Sequence, residues 1–179
     1  YVVQSPQLGT GHALLQTESL LKGKKGSVLL LSGDVPLLSA RTLQRLIEVH
    51  DTHHAALTVL ITELKEPYGY GRIVRDDKDQ IARIVEERDA SAEQRLIKEI
   101  NSGIYVLNLS RLFETLHSLA TDNAQGEYYL TDLVSLYYQD KRRVETLCVD
   151  TPDELRGVNT RVELAEMAKT GSTTFNGET

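Results

Sequence analysis

Hydrophobic and polar positions along the chain switch between a helical and a strand period, and the switches mark out the elements. Residues 28–31 form an unbroken apolar run, as expected of a strand buried on both faces of a parallel sheet. The run ends at Gly33-Asp34 and Pro36. Ser39 can then cap a helix whose apolar positions Leu43, Leu46 and Ile47 fall at helical spacing. Residues 56–64 return to strand-like composition, so strand, helix and strand together predict a right-handed βαβ unit. The middle of the chain reads differently. Residues 72–75 and 81–86 flank the polar turn Asp76-Asp77-Lys78-Asp79 and predict a hairpin. Ser91 and Gln94 have the spacing of a capping box ahead of a short polar helix.

Further along, residues 102–107 predict a strand, 109–119 an amphipathic helix, 130–138 another helix, 144–149 a last strand and 160–169 a helix. At the front, Tyr1-Val2-Val3 reads as the end of a strand, Gly9 to Gly11 as a tight loop and residues 12–21 as a helix. The tail over residues 170–179 is small and polar, and fraying is expected there. Residues 1–169 therefore read as one α/β domain with an antiparallel insertion, without repeats or a long linker.

Composition narrows the chemistry. The 179 residues are 40% hydrophobic and 26% charged, with a net charge of −6 and cations spread along the chain. That leaves no basic face for nucleic acid and none for an anionic membrane. No apolar run approaches the ~20 residues that span a bilayer, and no signal peptide is visible. A single cysteine, Cys148, excludes an internal disulfide and a cysteine-cluster metal site. Its strand-like neighbours point to a buried structural thiol, and the setting expected is cytoplasmic.

The strongest local signal is Asp34, a carboxylate just past a strand end, where open α/β sheets bind ligands. Gly33 lets a ligand approach the backbone closely. A hard carboxylate oxygen suits Mg²⁺, which takes one or two protein ligands and completes its shell with phosphate and water. The alternative is that Asp34 caps a turn before Pro36. Gln7-Leu8-Gly9-Thr10-Gly11-His12-Ala13 is a glycine loop leading into a helix, either a ligand cradle or simply a tight turn. Glu86 closes one predicted strand and Asn101 opens another. As neighbours they would offer both acceptors and donors to sugar hydroxyls, while Glu87 points to the opposite face. His50, His53 and His54 read as a solvated helix end rather than a metal site, and nothing resembles a nucleophilic triad.

Read in order, the segments resemble the pyrophosphorylase domain of the bacterial bifunctional UDP-N-acetylglucosamine pyrophosphorylase/glucosamine-1-phosphate N-acetyltransferase family. They are Gln7 to Ala13, Ser32-Gly33-Asp34-Val35-Pro36-Leu37, Tyr70-Gly71-Arg72-Ile73, Ile84-Val85-Glu86 and Glu99-Ile100-Asn101-Ser102-Gly103-Ile104. Asn123-Ala124-Gln125-Gly126-Glu127-Tyr128-Tyr129-Leu130-Thr131-Asp132 and Gly157-Val158-Asn159-Thr160-Arg161 complete the series. Each motif is modest, but seven in the family's order are specific.

The resemblance implies a Rossmann-like (GT-A-like) nucleotidyltransferase: a mixed sheet with helices on both faces and an antiparallel sugar-binding insertion. It also implies residue roles. Gln4, Gly9 and Thr10 would hold the uracil of UTP. Ser32, Gly33 and Asp34 would lie along the ribose and phosphates, with Asp34 and Asn159 on Mg²⁺. Gly71, Glu86 and Asn101 would bind the sugar ring, and Thr131 would lie near the sugar phosphate. The implied reaction joins UTP to N-acetylglucosamine 1-phosphate and releases pyrophosphate.

The family's arginine- and lysine-bearing glycine loop has no counterpart here. The first βαβ unit is expected to be missing, which would leave sheet edges exposed. The chain alone would then be poorly active. The alternatives are a non-catalytic sugar- or nucleotide-binding fragment, and a sibling nucleotidyltransferase acting on another sugar or base. The resemblance is compatible with an oligomeric full-length protein, since relatives trimerise through an acetyltransferase domain.

Overall fold

A computed structural model of the chain describes residues 1–155. Asn159, the helix expected over residues 160–169, the polar tail and the expected domain end at residue 169 lie outside the described residues. Six strands build one sheet: β1 (Ser27–Leu30), β2 (Leu57–Glu63), β3 (Arg72–Arg75), β4 (Ile81–Val85), β5 (Glu99–Asn108) and β6 (Val144–Cys148). The α-helices among the described residues are α1 (Thr10–Leu15), α2 (Glu18–Leu21), α3 (Ala40–Thr52), α4 (Leu112–Leu116) and α5 (Asp132–Gln139).

β5 organises the sheet. One of its edges pairs antiparallel with β2, which in turn pairs in parallel with β6. Its other edge takes two partners in turn, β3 at Ile100 and β1 from Tyr105 to Asn108. β1 and β2 are both antiparallel to β5 and so parallel to each other, with α3 as the crossover between them. The βαβ unit expected from the sequence is therefore present, but with β5 inserted between its strands.

Alternation along the strands sends side chains to two cores. Leu57, Val59, Ile61, Tyr105 and Leu107 pack with Leu112, Leu116, Leu133 and Tyr137 from α4 and α5. Leu60, Ile104, Val106 and Leu147 pack on the opposite face with Leu46 of α3. Helices thus cover both faces, as expected. Burying one leucine of this kind contributes roughly 1.5–3 kcal/mol, and truncating it to alanine costs about 2–5 kcal/mol because the site collapses only partly. Ser39 caps α3 as expected, its Oγ accepting from Thr42 N at 3.1 Å. The capping box also forms reciprocally: Ser91 N donates to Gln94 Oε1 at 2.9 Å, and Gln94 N to Ser91 Oγ at 3.2 Å.

Several expectations are corrected. The run over residues 28–31 is not a doubly buried strand of a parallel sheet. β1 pairs antiparallel and, among the described residues, with β5 alone, and Leu31 is 50% exposed. The doubly covered strand is β2, whose residues 57–62 are all buried. On α3 the buried positions are Thr42, Leu46 and His50, whereas Ile47 faces out. The helix over residues 12–21 is broken at Thr17, whose hydroxyl and N–H both donate to the Leu14 carbonyl and end the turn. The helix expected over 109–119 contracts to α4. Tyr1, Val2 and Val3 form no strand and are exposed. No helix among the described residues is long and apolar enough to cross a membrane.

Candidate functional site

β5 carries an irregularity where its two edge partners separate. Val59 pairs with Tyr105 but Ile61 pairs with Asn101, so extra residues of β5 stand opposite Leu60. Side-chain bonds hold this bulge. Asn101 Oδ1 accepts from Gly103 N at 3.0 Å, while Ser102 Oγ donates to Leu60 O at 2.6 Å and accepts from Ile104 N at 3.2 Å. Gly103 has φ +78°, and a Cβ there would lie 2.8 Å from Ser32 Oγ. Both conformation and close approach therefore call for glycine. Bulges commonly re-aim side chains beside sites. This one opens the sheet edge between the end of β1 and the start of β3.

A cleft of about 490 Å³ occupies that fork. Thr10, Ser32, Glu86, Gly103, Tyr105 and Thr131 line it, with Leu14, Leu29, Leu30 and Leu130 as its apolar wall. Thr131, at the start of α5, donates its hydroxyl to Glu86 Oε1 at 2.9 Å. Burial pushes the Glu86 carboxyl above its ordinary value, opposed by the Thr131 hydroxyl and reinforced by Asp132 and Asp89. Burial likewise raises the Tyr105 hydroxyl, with the Glu86 charge adding to the effect and a bond to the Asn101 side chain opposing it.

Gly71, Glu86 and Asn101 come together, though not by the expected route. β4 and β5 do not pair, because β3 lies between them. Gly71, just ahead of β3, accepts from Asn101 N at 2.9 Å. A Cβ on Gly71 would sit 2.9 Å from Ile84 Cγ2 and 3.4 Å from Glu86 Oε2. Glu87 turns away from the cleft to meet Arg72, as alternation required. A half-buried carboxylate and a hydroxyl in a mostly apolar cleft, with the Asn101 carboxamide bonded to Gly103 at its edge, suit a neutral polyol, whose hydroxyls both donate and accept.

The Gly9 loop is built into the same wall. Gly11 N donates to Tyr128 O at 2.8 Å, Tyr128 N to Leu8 O at 2.9 Å, and Leu130 N to Thr10 Oγ1 at 3.0 Å. A Cβ on Gly9 would meet Tyr128 O at 2.7 Å, and one on Gly11 would meet Leu119 Cδ1 at 2.5 Å. The glycines thus dock residues 8–11 onto the motif that carries Thr131. Gln4 joins them by donating to Gly9 O at 2.9 Å.

Gly33 and Asp34 lie beyond the cleft lining and are exposed. The Asp34 carboxylate makes no hydrogen bond to the described residues, so no turn cap engages it, and its hard oxygens face solvent. Among the described residues no cluster of three or more His, Cys, Asp or Glu side chains is placed to hold a metal. His50 is not solvated: it is 2% exposed and lies within hydrogen-bond distance of Ser27 Oγ and Thr58 Oγ1. Cys148 is exposed rather than buried, since alternation on β6 sends Leu147 and Val149 inward. A larger groove of about 800 Å³ runs between the β3–β4 turn and the start of β6. It contains none of the residues above, and its Arg75 and Arg143 are already paired with Glu99 and Glu145.

Sequence reading passed over Tyr105 as a cleft residue, although Asn101, Gly103 and Tyr105 alternate on β5. That period of two was the signal that could have found it.

The sequence profile of the nucleotidyl transferase family matches residues 1–151, and the chain belongs to that family. It is 46% identical over 169 residues to the bifunctional protein GlmU of Limosilactobacillus reuteri, covering 94% of this chain and 37% of that protein. It is 50% identical over 166 residues to the bifunctional protein GlmU of Syntrophotalea carbinolica, covering 93% and 36%. The chain thus spans little more than a third of the length of these relatives. In fold it resembles an apo UDP-glucose pyrophosphorylase, with TM-score 0.70 and 21% identity over 97% of this chain and 63% of the other. A UDP-glucose pyrophosphorylase complexed with UDP-glucose gives TM-score 0.70 and 20% identity, over 97% and 66%.

Proposed function

We propose that the chain carries the sugar-nucleotide half of a UDP-N-acetylglucosamine pyrophosphorylase, which joins UTP to N-acetylglucosamine 1-phosphate. The observation that carries this reading is the cleft at the β1–β3 fork, where Thr10, Ser32, Glu86, Gly103 and Thr131 meet from separate segments. Gly71, Glu86 and Asn101 would hold the sugar ring, and Thr131 the region of its phosphate. Gln4, Gly9 and Thr10 would face the uracil. Ser32, Gly33 and Asp34 would follow the ribose and phosphates.

The sugar phosphate oxygen attacks the α-phosphorus in line. The new O–P bond forms as the bond to the β-phosphate bridging oxygen breaks, and pyrophosphate leaves. No protein nucleophile is required, and this chain's residues contribute by orientation. Asp34 fits a magnesium ion: it is an exposed carboxylate with no partner among the described residues, suited to a cation that keeps few protein ligands. Asn159 would be its companion, and the ion when bound offsets phosphate charge. Glu154, upstream of Asn159, accepts from Thr42 Oγ1 at 2.6 Å, which fastens that end of the described chain to the helix following the Asp34 loop. A lone free thiol, Cys148, goes with a reducing, cytoplasmic setting for the enzyme.

The test is pyrophosphate release from UTP with Mg²⁺ and either N-acetylglucosamine 1-phosphate or glucose 1-phosphate, alongside calorimetric binding of UDP-N-acetylglucosamine. Failure to bind the nucleotide sugar would overturn the reading. A second reading is favoured by the cleft lining, which among the described residues holds no lysine or arginine for a triphosphate. On that reading the chain by itself binds nucleotide sugar without turning it over, and binding without pyrophosphate release is its signature.

A further inference from the structure

Arg72 is 1% exposed. A buried guanidinium needs its donors answered; its two terminal nitrogens are answered by two segments that meet beside the cleft, while Nε has no partner among the described residues. One terminal nitrogen donates to Glu87 Oε2 at 2.6 Å, and the other donates to the Tyr70 carbonyl. Glu87 Oε2 also accepts from Gly69 N at 3.2 Å. Arg95 closes the outside of the group, 3.5 Å from Glu87 Oε1. The pair thus grips residues 69 and 70 from both sides, immediately ahead of Gly71, and it does so from the residue that follows Glu86.

The β3–β4 hairpin has its own ladder, from Arg72 opposite Val85 to Arg75 opposite Ile81, and does not need this pair to close. Gly71 and Glu86 face each other one step beyond the last ladder pair, Arg72 opposite Val85, where the ladder no longer holds them, and a Cβ on Gly71 would come within 3.4 Å of Glu86 Oε2.

We propose that Arg72 and Glu87 are positioning residues for the cleft. They fix the Gly71 backbone and the Glu86 carboxylate relative to each other, so that the sugar of a nucleotide sugar is gripped between them. The inference rests on the sugar-nucleotide reading above. A pair that only contributes stability can be replaced by apolar side chains of similar length without loss. A pair that aims backbone groups cannot, because methyl groups do not hold Gly69 N or Tyr70 O.

The test is calorimetric titration of the chain, of Arg72→Met/Glu87→Leu and of Glu87→Gln with UDP-N-acetylglucosamine and with UMP. The double variant is expected to unfold cooperatively and to bind UDP-N-acetylglucosamine at least ten-fold more weakly, with UMP affinity changed less than two-fold. Glu87→Gln keeps an acceptor for Gly69 N and Arg72 and is expected within three-fold of the parent. If the double variant does not fold, Glu87→Ala replaces it with the same expected loss. UDP-N-acetylglucosamine affinity unchanged in the double variant or in Glu87→Ala overturns the inference and leaves the sugar-nucleotide reading standing. A parent chain that binds UDP-N-acetylglucosamine no better than UMP overturns both.

Discussion

Three glycine-to-alanine substitutions, two in the loop that walls the cleft and a third in the turn after α2, separate conformational strain from steric contact. Gly23 has φ +78° and no atom of the described residues within 4 Å of where a Cβ would sit, so Gly23→Ala carries backbone strain alone. That is about 1–2 kcal/mol for an L-residue in left-handed space. Gly11 has no positive φ, but its Cβ would lie 2.5 Å from Leu119 Cδ1 and 3.0 Å from Tyr128 O. Overpacking of this kind costs about 1–3 kcal/mol, offset by up to about 1 kcal/mol of helix propensity. Gly9 combines both terms: φ +103°, with Tyr128 O at 2.7 Å and Glu127 Cβ at 2.9 Å. A carbonyl held in a hydrogen bond to Gly11 N yields less readily than a side-chain tip. Gly9→Ala should therefore lose about 2–5 kcal/mol, the sum of strain and contact. Urea unfolding followed by far-UV circular dichroism reads these losses. With a slope of about 2 kcal/mol per molar, the midpoint should fall by about 1–2.5 M for Gly9→Ala and about 0.5–1 M for Gly23→Ala. A Gly9→Ala midpoint no lower than that of Gly23→Ala would refute the docking of residues 8–11 onto residues 127–130.

The other expectations concern charge. Glu86 has its folded-state value raised by burial, so the folded protein binds the extra proton. Stability therefore declines as pH rises from the ordinary carboxylate value through the raised one, and Glu86→Gln should flatten that part of the profile and be the more stable protein at neutral pH. Urea midpoints across pH 4 to 8 check the sign, and the same variant should lose UDP-N-acetylglucosamine binding in calorimetry. His50 behaves in the opposite sense. Burial lowers its folded value, so stability is intact above the ordinary imidazole value and is lost as pH falls from there toward the lowered one. His50→Gln should remove that acid-side slope. Asp34→Ala should leave the urea midpoint unchanged, because the carboxylate has no partner among the described residues, yet abolish magnesium-dependent binding of UTP measured by calorimetry.

The sequence by itself determined what neighbours along the chain can decide. The Ser39 cap, the Ser91–Gln94 box and the Arg72-to-Val85 hairpin each depend on a few consecutive residues, and each appears as read. The ordered motifs were likewise enough to place the chain among nucleotidyltransferases. Tertiary structure alone decided which strands meet and which face is covered, since both depend on residues far apart. β3 entered between β4 and β5, β5 entered between β1 and β2, His50 was buried by Ser27 and Thr58, and Cys148 was turned outward. The cleft belongs to this second group. Glu86 was legible as a carboxylate at a strand end, but its burial, its bond to Thr131 and the bulge at Gly103 that opens the sheet exist only once β1 and β3 divide the edge of β5.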